Sequence, residues 1–67
     1  MRDEFKLTFV QAMVQLSKGR TVECESDPWY YFRMEKDGRI LVRFPDNVWY
    51  PAIMAESRYV SKWRVVK

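Results

Sequence analysis

Residues 29–44 constrain the fold of this chain more than any other stretch. Two apolar-rich runs, Trp29-Tyr30-Tyr31-Phe32-Arg33-Met34 and Arg39-Ile40-Leu41-Val42-Arg43-Phe44, flank the turn signal Glu35-Lys36-Asp37-Gly38, so the segment reads as a β-hairpin. Its register follows from the faces the two runs would present. A two-residue Asp37-Gly38 turn would set Phe32 opposite Arg43 and mix charge into an apolar face. A three-residue loop places Lys36-Asp37 in a type I turn with Gly38 left-handed as a G1 bulge. Met34 then pairs with Ile40, Phe32 with Val42 and Tyr30 with Phe44, and these six form the core side. The other face holds Tyr31 opposite Arg43 and Arg33 opposite Leu41, with Trp29 beside them. A slip of one residue would exchange the two faces, so the bulged register is the one specified.

The remaining elements follow from local signals. Thr8-Phe9-Val10-Gln11 fits a capping box. Phe9, Ala12, Met13 and Leu16 recur at helical spacing, Val10 and Val14 widen the stripe, and Gly19 marks the stop, which predicts a helix over about 9–18. Residues 1–7 read as an extended arm or a short leading strand. Residues 21–25 alternate as a strand with Val22 and Cys24 inward, and Ser26-Asp27-Pro28 breaks it. Pro45-Asp46-Asn47 is the next turn, and Val48-Trp49-Tyr50 is a short strand interrupted by Pro51. One helical turn is expected within 51–61, at 52–56 or 57–61, followed by a final strand over 62–66. The expectation is a single α+β domain over 1–67: a small antiparallel sheet of four to five strands with one N-terminal helix packed on one face.

Size then limits what can hold this fold together. A chain of 67 residues buries only about 60% of its unfolded surface. Cys24 is the sole cysteine and there is no histidine, so neither a disulfide nor a zinc site is available to supplement the core. Oligomerisation remains. A lone thiol, read as a small buried hydrophobe, agrees with a reducing cytoplasmic setting, and neither a secretory signal nor an apolar run long enough to span a membrane is seen. The net charge of +3 and pI of about 9.2 give a mild preference for anionic partners, with the basic residues scattered along the chain.

The chain offers little for catalysis. It has no histidine base, Gly-rich phosphate loop or nucleophile elbow, and its carboxylates sit beside turns or alternate outward on strands. The expectation is a non-enzyme without cofactor or metal. Binding is better served. Trp29, Tyr31 and Trp49 offer stacking surfaces, and Arg33, Arg43 and Arg58 can grip phosphate in a bidentate manner. A base stacked on an aromatic side chain contributes roughly 1–3 kcal/mol. Trp, Tyr and Arg also dominate protein interfaces, so Trp29 and Trp49 suit a protomer interface equally. Phe9 and Trp63 read as core.

The order of features resembles a family of small phage and prophage proteins, the Thoeris anti-defence proteins of type two. Their opening pattern, T-F-x-x-A-[LM]-x-x-L-x-x-G-[KR]-x-V, is met by Thr8-Phe9-Val10-Gln11-Ala12-Met13-Val14-Gln15-Leu16-Ser17-Lys18-Gly19-Arg20-Thr21-Val22. Their ending, an acidic residue, Trp and two apolar residues, is approximated by Lys62-Trp63-Arg64-Val65-Val66. Trp49-Tyr50-Pro51-Ala52 is similar to their Pro/Trp element before a short helix. The likeness runs from about Thr8 to Val66. It departs at Ser26-Asp27-Pro28, where a basic turn is usual, at Lys62, where an acid is usual, and in a shorter loop before Trp49.

The resemblance implies an oligomer that sequesters a cyclic nucleotide signal of bacterial immunity, notably a cyclic ADP-ribose isomer, between protomers without cleaving it. By this likeness Trp29 matches the first hairpin tryptophan and Trp49 stands near the Pro/Trp element. The ligand-binding set expected is therefore Trp29, Tyr31, Arg33, Arg43, Trp49 and Arg58, acting in the host cytoplasm on a small nucleotide. The alternatives are a single-stranded nucleic-acid-binding module and a protein-directed inhibitor of a host enzyme.

Overall fold

A computed structural model describes residues 5–66. The chain forms α1 (Phe9–Ser17), β1 (Thr21–Cys24), β2 (Asp27–Met34), β3 (Ile40–Arg43), β4 (Trp49–Pro51), α2 (Glu56–Val60) and β5 (Trp63–Val66). The start of α1 is the expected capping box. The Gln11 N–H donates to Thr8 Oγ1 (3.2 Å), and the Thr8 N–H donates to Gln11 Oε1 (2.9 Å). Gly19, at φ +86°, turns the chain out of the helix, its N–H donating to the Leu16 carbonyl at 2.9 Å.

The first hairpin has the bulged register. Tyr31 pairs with Arg43, Phe32 with Val42, Arg33 with Leu41 and Met34 with Ile40. The Glu35 N–H donates to Arg39 O (2.8 Å), the Gly38 N–H donates to Glu35 O (2.9 Å), and Gly38 is left-handed at φ +91°. The second hairpin repeats this turn with different residues. The Phe44 N–H donates to Val48 O (3.3 Å), the Asn47 N–H to Phe44 O (2.9 Å), and Asn47 takes the left-handed role at φ +66°. In each turn an aspartate accepts the backbone N–H two residues on, Asp37 from Arg39 and Asp46 from Val48, both at 3.0 Å.

The five strands form one antiparallel sheet in the order β4-β3-β2-β1-β5. Leu7 extends it by one bridge to Trp63, with N–H to carbonyl distances of 2.9 and 2.8 Å. The leading arm expected over 1–7 is thus strand-like at Leu7, and residues 1–4 lie outside the described residues. The break expected at Ser26-Asp27-Pro28 is narrower than the sequence suggested. β2 resumes at Asp27, and the register jumps from Glu23↔Tyr31 to Cys24↔Asp27, leaving residues 28–30 as a bulge.

Above the inner face, Ala12 and Leu16 of α1 close over Val22, Cys24, Phe32, Val42 and Trp63. The Trp63 ring meets Phe32 edge-on at 5.1 Å, and its indole N–H donates to the Arg58 carbonyl at 3.1 Å, so its polar atom is satisfied. Phe9 bridges the helices, edge-on to Tyr59 at 4.7 Å and to Trp63 at 6.1 Å.

The hairpin core is smaller than the alternation implied. Of the six residues assigned to it, Phe32 and Val42 are buried, Tyr30, Met34 and Ile40 are half-buried, and Phe44 is 36% exposed. The cause is cover. A helix with its side chains is about 10 Å across and strands lie about 4.8 Å apart, so one helix shields two or three strands. α1 lies over β1, β2 and β5. Beyond it Tyr30, Phe44 and Tyr50 pack on one another instead, with ring centroids 4.8 and 4.9 Å apart. Among the described residues no helix is long and apolar enough to cross a membrane.

Candidate ligand-binding face

The face of the sheet opposite α1 is organised as a row. Pairing sets Arg64 against Glu23, Glu23 against Tyr31, Tyr31 against Arg43 and Arg43 against Trp49, so one residue from each strand lines up across the sheet. Because alternate residues share a face, all five project to the same side. A second row places Arg33, Leu41 and Pro51 alongside.

Guanidinium groups cover the Tyr31 and Trp49 rings. Arg43 lies over Tyr31 at 4.7 Å, and Arg33 lies over Trp49 at 4.3 Å. Their charges are treated differently. Arg33 Nε donates to Glu35 Oε2 at 3.1 Å. Arg43 has no hydrogen bond or ion pair among the described residues, and its Nε is enclosed without an acceptor. An unsatisfied buried donor costs about 1–3 kcal/mol. Each pair joins an aromatic ring to a guanidinium, the two groups that suit a planar ring and a phosphate oxygen.

The end of the row nearest β5 is closed by an ion pair. Glu23 is 1% exposed, and its Oε1 accepts from Arg64 Nε (2.7 Å) and Nη2 (2.6 Å). Its Oε2 accepts the backbone N–H of Trp29 at 2.9 Å. Arg64 also stands over the Phe5 ring at 4.8 Å.

The structure brings Tyr31, Arg33, Arg43 and Trp49 together and places Trp29 at their margin, in the bulge, 65% exposed. It places Arg58, the sixth residue of the expected set, apart from them. Arg58 Nε donates to Asp27 Oδ2 (2.8 Å), its Nη1 donates to the Ile53 carbonyl (2.7 Å), and its guanidinium lies over Phe32 at 4.9 Å, on the inner face. With two acceptors already engaged, it ties α2 to β2 and has little left for a ligand.

Glu23 and Arg64 were not among the residues singled out from the sequence. The alternation of residues 21–25 turns Glu23 outward, which usually means solvent. Arg64, brought alongside by the β1–β5 pairing, and the bulge at Trp29 make that outward position an enclosed one. Among the described residues no three histidine, cysteine or carboxylate side chains converge as a metal site requires. No family model, curated protein or solved structure matches the chain.

Proposed function

We propose that the protein is a non-catalytic binding protein that sequesters a nucleotide-derived immune signal, a cyclic ADP-ribose isomer or a cyclic oligonucleotide, and so counteracts bacterial anti-phage defence in the host cytoplasm. The observation that carries the reading is Arg43, a guanidinium stacked on Tyr31 with an enclosed Nε and no acid, next to a second guanidinium–ring pair. Such a platform takes a planar ring on its flat surface and an anionic oxygen at its edge. The likeness to the anti-defence proteins supports the choice of signal.

A sheet face is open on one side, whereas small-ligand sites bury about 70–90% of the ligand surface. A second copy laid against the face supplies the missing wall, and so the protein acts as a homo-oligomer with the ligand between protomers. Single-stranded nucleic acid suits the face less well. Arg33 and Arg64 already hold Glu35 and Glu23, leaving Arg43 as the one uncommitted arginine of the described face.

Isothermal titration against cyclic ADP-ribose isomers and cyclic di- and trinucleotides, with light scattering on the same sample, tests the proposal. Saturable binding by one of them, its recovery intact, an oligomer in solution and a loss of at least ~10-fold in affinity for Arg43→Ala are expected. The absence of heat with every probe removes the proposal. Binding to a single-stranded oligonucleotide that falls steeply with salt would transfer the face to nucleic acid.

A further inference from the structure

Trp29 holds a backbone conformation that tryptophan seldom takes. Its φ is +79°, in the region where a Cβ crowds the following carbonyl oxygen, and its side chain is 65% exposed, so burial does little to offset the strain. The chain shows what it uses when only the conformation is needed. At the other left-handed positions among the described residues stand Gly19, Gly38 and Asn47, the residue types that tolerate it. A tryptophan at the fourth calls for a reason in its ring.

The partner that holds this conformation is Glu23. Its carboxylate is enclosed on the outer face and accepts three N–H groups, two from Arg64 and one from the backbone of Trp29. Burying a carboxylate is costly unless it is paired and fully hydrogen-bonded, and Arg64 supplies the charge while Trp29 completes the set. Because Glu23 is the direct neighbour of Tyr31 in the cross-sheet row, the bulge it ties down borders the Tyr31–Arg43–Trp49 platform.

We infer that Glu23, oriented by Arg64, is the positioning residue of the outer-face site: its carboxylate pins the bulge so that the Trp29 indole stands at the rim beside Tyr31 and stacks on the planar ring of the bound ligand. The inference rests on the reading of that face as a nucleotide site, and it gives the ligand a second planar contact besides the guanidinium planes.

The experiment compares Trp29→Gly, Glu23→Gln and the double variant by thermal unfolding, by amide hydrogen exchange and by titration with the cyclic ADP-ribose isomers and cyclic dinucleotides. Glycine at position 29 relieves the strain, so Tm rises by about 4 °C or more, while affinity for the binding probe falls ~10-fold or more. Glu23→Gln abolishes the exchange protection of the Trp29 amide, leaves that of Leu16 and Trp63 in place, and weakens the probe. In the Trp29→Gly background Glu23→Gln weakens it no further.

A Tm that falls in Trp29→Gly overturns the inference, since the ring would then serve the fold. Unchanged protection of the Trp29 amide in Glu23→Gln overturns it too. Should wild type and Trp29→Gly bind a probe equally, the inference fails and the proposed function stands. Should no probe bind wild type, the proposed function fails and the rim role with it, while Tm and exchange still decide whether Glu23 pins the bulge.

Discussion

The strands beneath α1 and the hairpin β3–β4 share one pleat and differ in what lies above them. Beneath the helix, Val22, Cys24, Phe32 and Trp63 are fully buried. Across β3 and β4 the same inner face buries Val42 but leaves Phe44 and Tyr50 at 36% and 38% exposure, held by ring-to-ring contact. The covered part is packed from both helix and sheet, so its side chains are fixed by shape. The uncovered part has spare aromatic surface on the inner side and Arg43 and Trp49 on the outer. Stability therefore resides in the strands under α1, and the surface free for contact lies toward the other edge of the sheet.

The two regions should differ most at one aromatic side chain in each. Trp63→Ala removes a buried ring and the hydrogen bond to the Arg58 carbonyl, and should cost about 3–5 kcal/mol, a large share of the whole stability of a domain this small. Phe44→Ala removes a partly exposed ring and should cost about 1–2 kcal/mol. Urea denaturation of both variants measures the difference. Equal costs would mean that the hairpin is as much a part of the core as β5.

The two hairpin turns should differ by less. Gly38 and Asn47 occupy the same place in equivalent loops. No atom lies within 4 Å of a Cβ built on Gly38, so the cost of Gly38→Ala comes from its φ of +91° and should be about 1–2 kcal/mol. Asn47→Gly should be nearly neutral, within about 0.5 kcal/mol. A strong destabilisation by Asn47→Gly, seen as a lowered urea midpoint, would show that the Asn47 side chain holds the uncovered hairpin together.

Arg43→Met tests whether stability and contact are separate. The substitution removes an unsatisfied donor, a gain of about 1–3 kcal/mol, and with it the guanidinium contact over Tyr31, a loss of about 0.5–2 kcal/mol, so unfolding free energy should stay level or rise slightly. Loss of ligand affinity without loss of stability is the expected pattern.

The smallest effect concerns pH. The backbone N–H of Arg39, which donates to the Asp37 carboxylate, holds the Asp37 pKa below its ordinary 3.8. A lowered folded-state pKa contributes stability above the unfolded value and loses it as pH falls through the folded one. Wild type should exceed Asp37→Asn in Tm at neutral pH, and the gap should close below pH 3.8. A gap that persists into strong acid would assign the turn to shape alone. Tyr50, whose hydroxyl donates to Asp46, has its pKa raised by that bond and stays protonated throughout this range.

The first hairpin was legible because two independent signals agreed on it. Alternation in both runs demanded one register, and Gly38 supplied the backbone conformation that register needs. The same logic was present in Pro45-Asp46-Asn47, where Asp46 and Asn47 stand as Asp37 and Gly38 do, so the second turn was readable in type as well as place. Cover was not legible. Alternation says which residues share a face, yet says nothing of how many strands one short helix can shield, and so Phe44 was placed in the core. The roles of Glu23 and Arg58 depend on partners far along the chain, Arg64 for one and Asp27 for the other, which no local pattern joins. Of the candidate site, Tyr31, Arg33 and Arg43 followed from period two, whereas Trp49 joined them only through the β3–β4 pairing. The Glu23 clamp behind Trp29 required the strand order.

Pro51 closes β4 with a consequence for how copies of the chain meet. The strand lies at one margin of the sheet, proline has no N–H to offer, and the next donor, Ala52 N–H, is already engaged by the Ile40 carbonyl at 2.9 Å. A neighbouring molecule therefore finds no continuous ladder on which to align its own backbone, and runaway edge-to-edge growth into fibrils is blocked at this margin. What this margin presents to its surroundings is therefore side chains and not a free row of backbone donors.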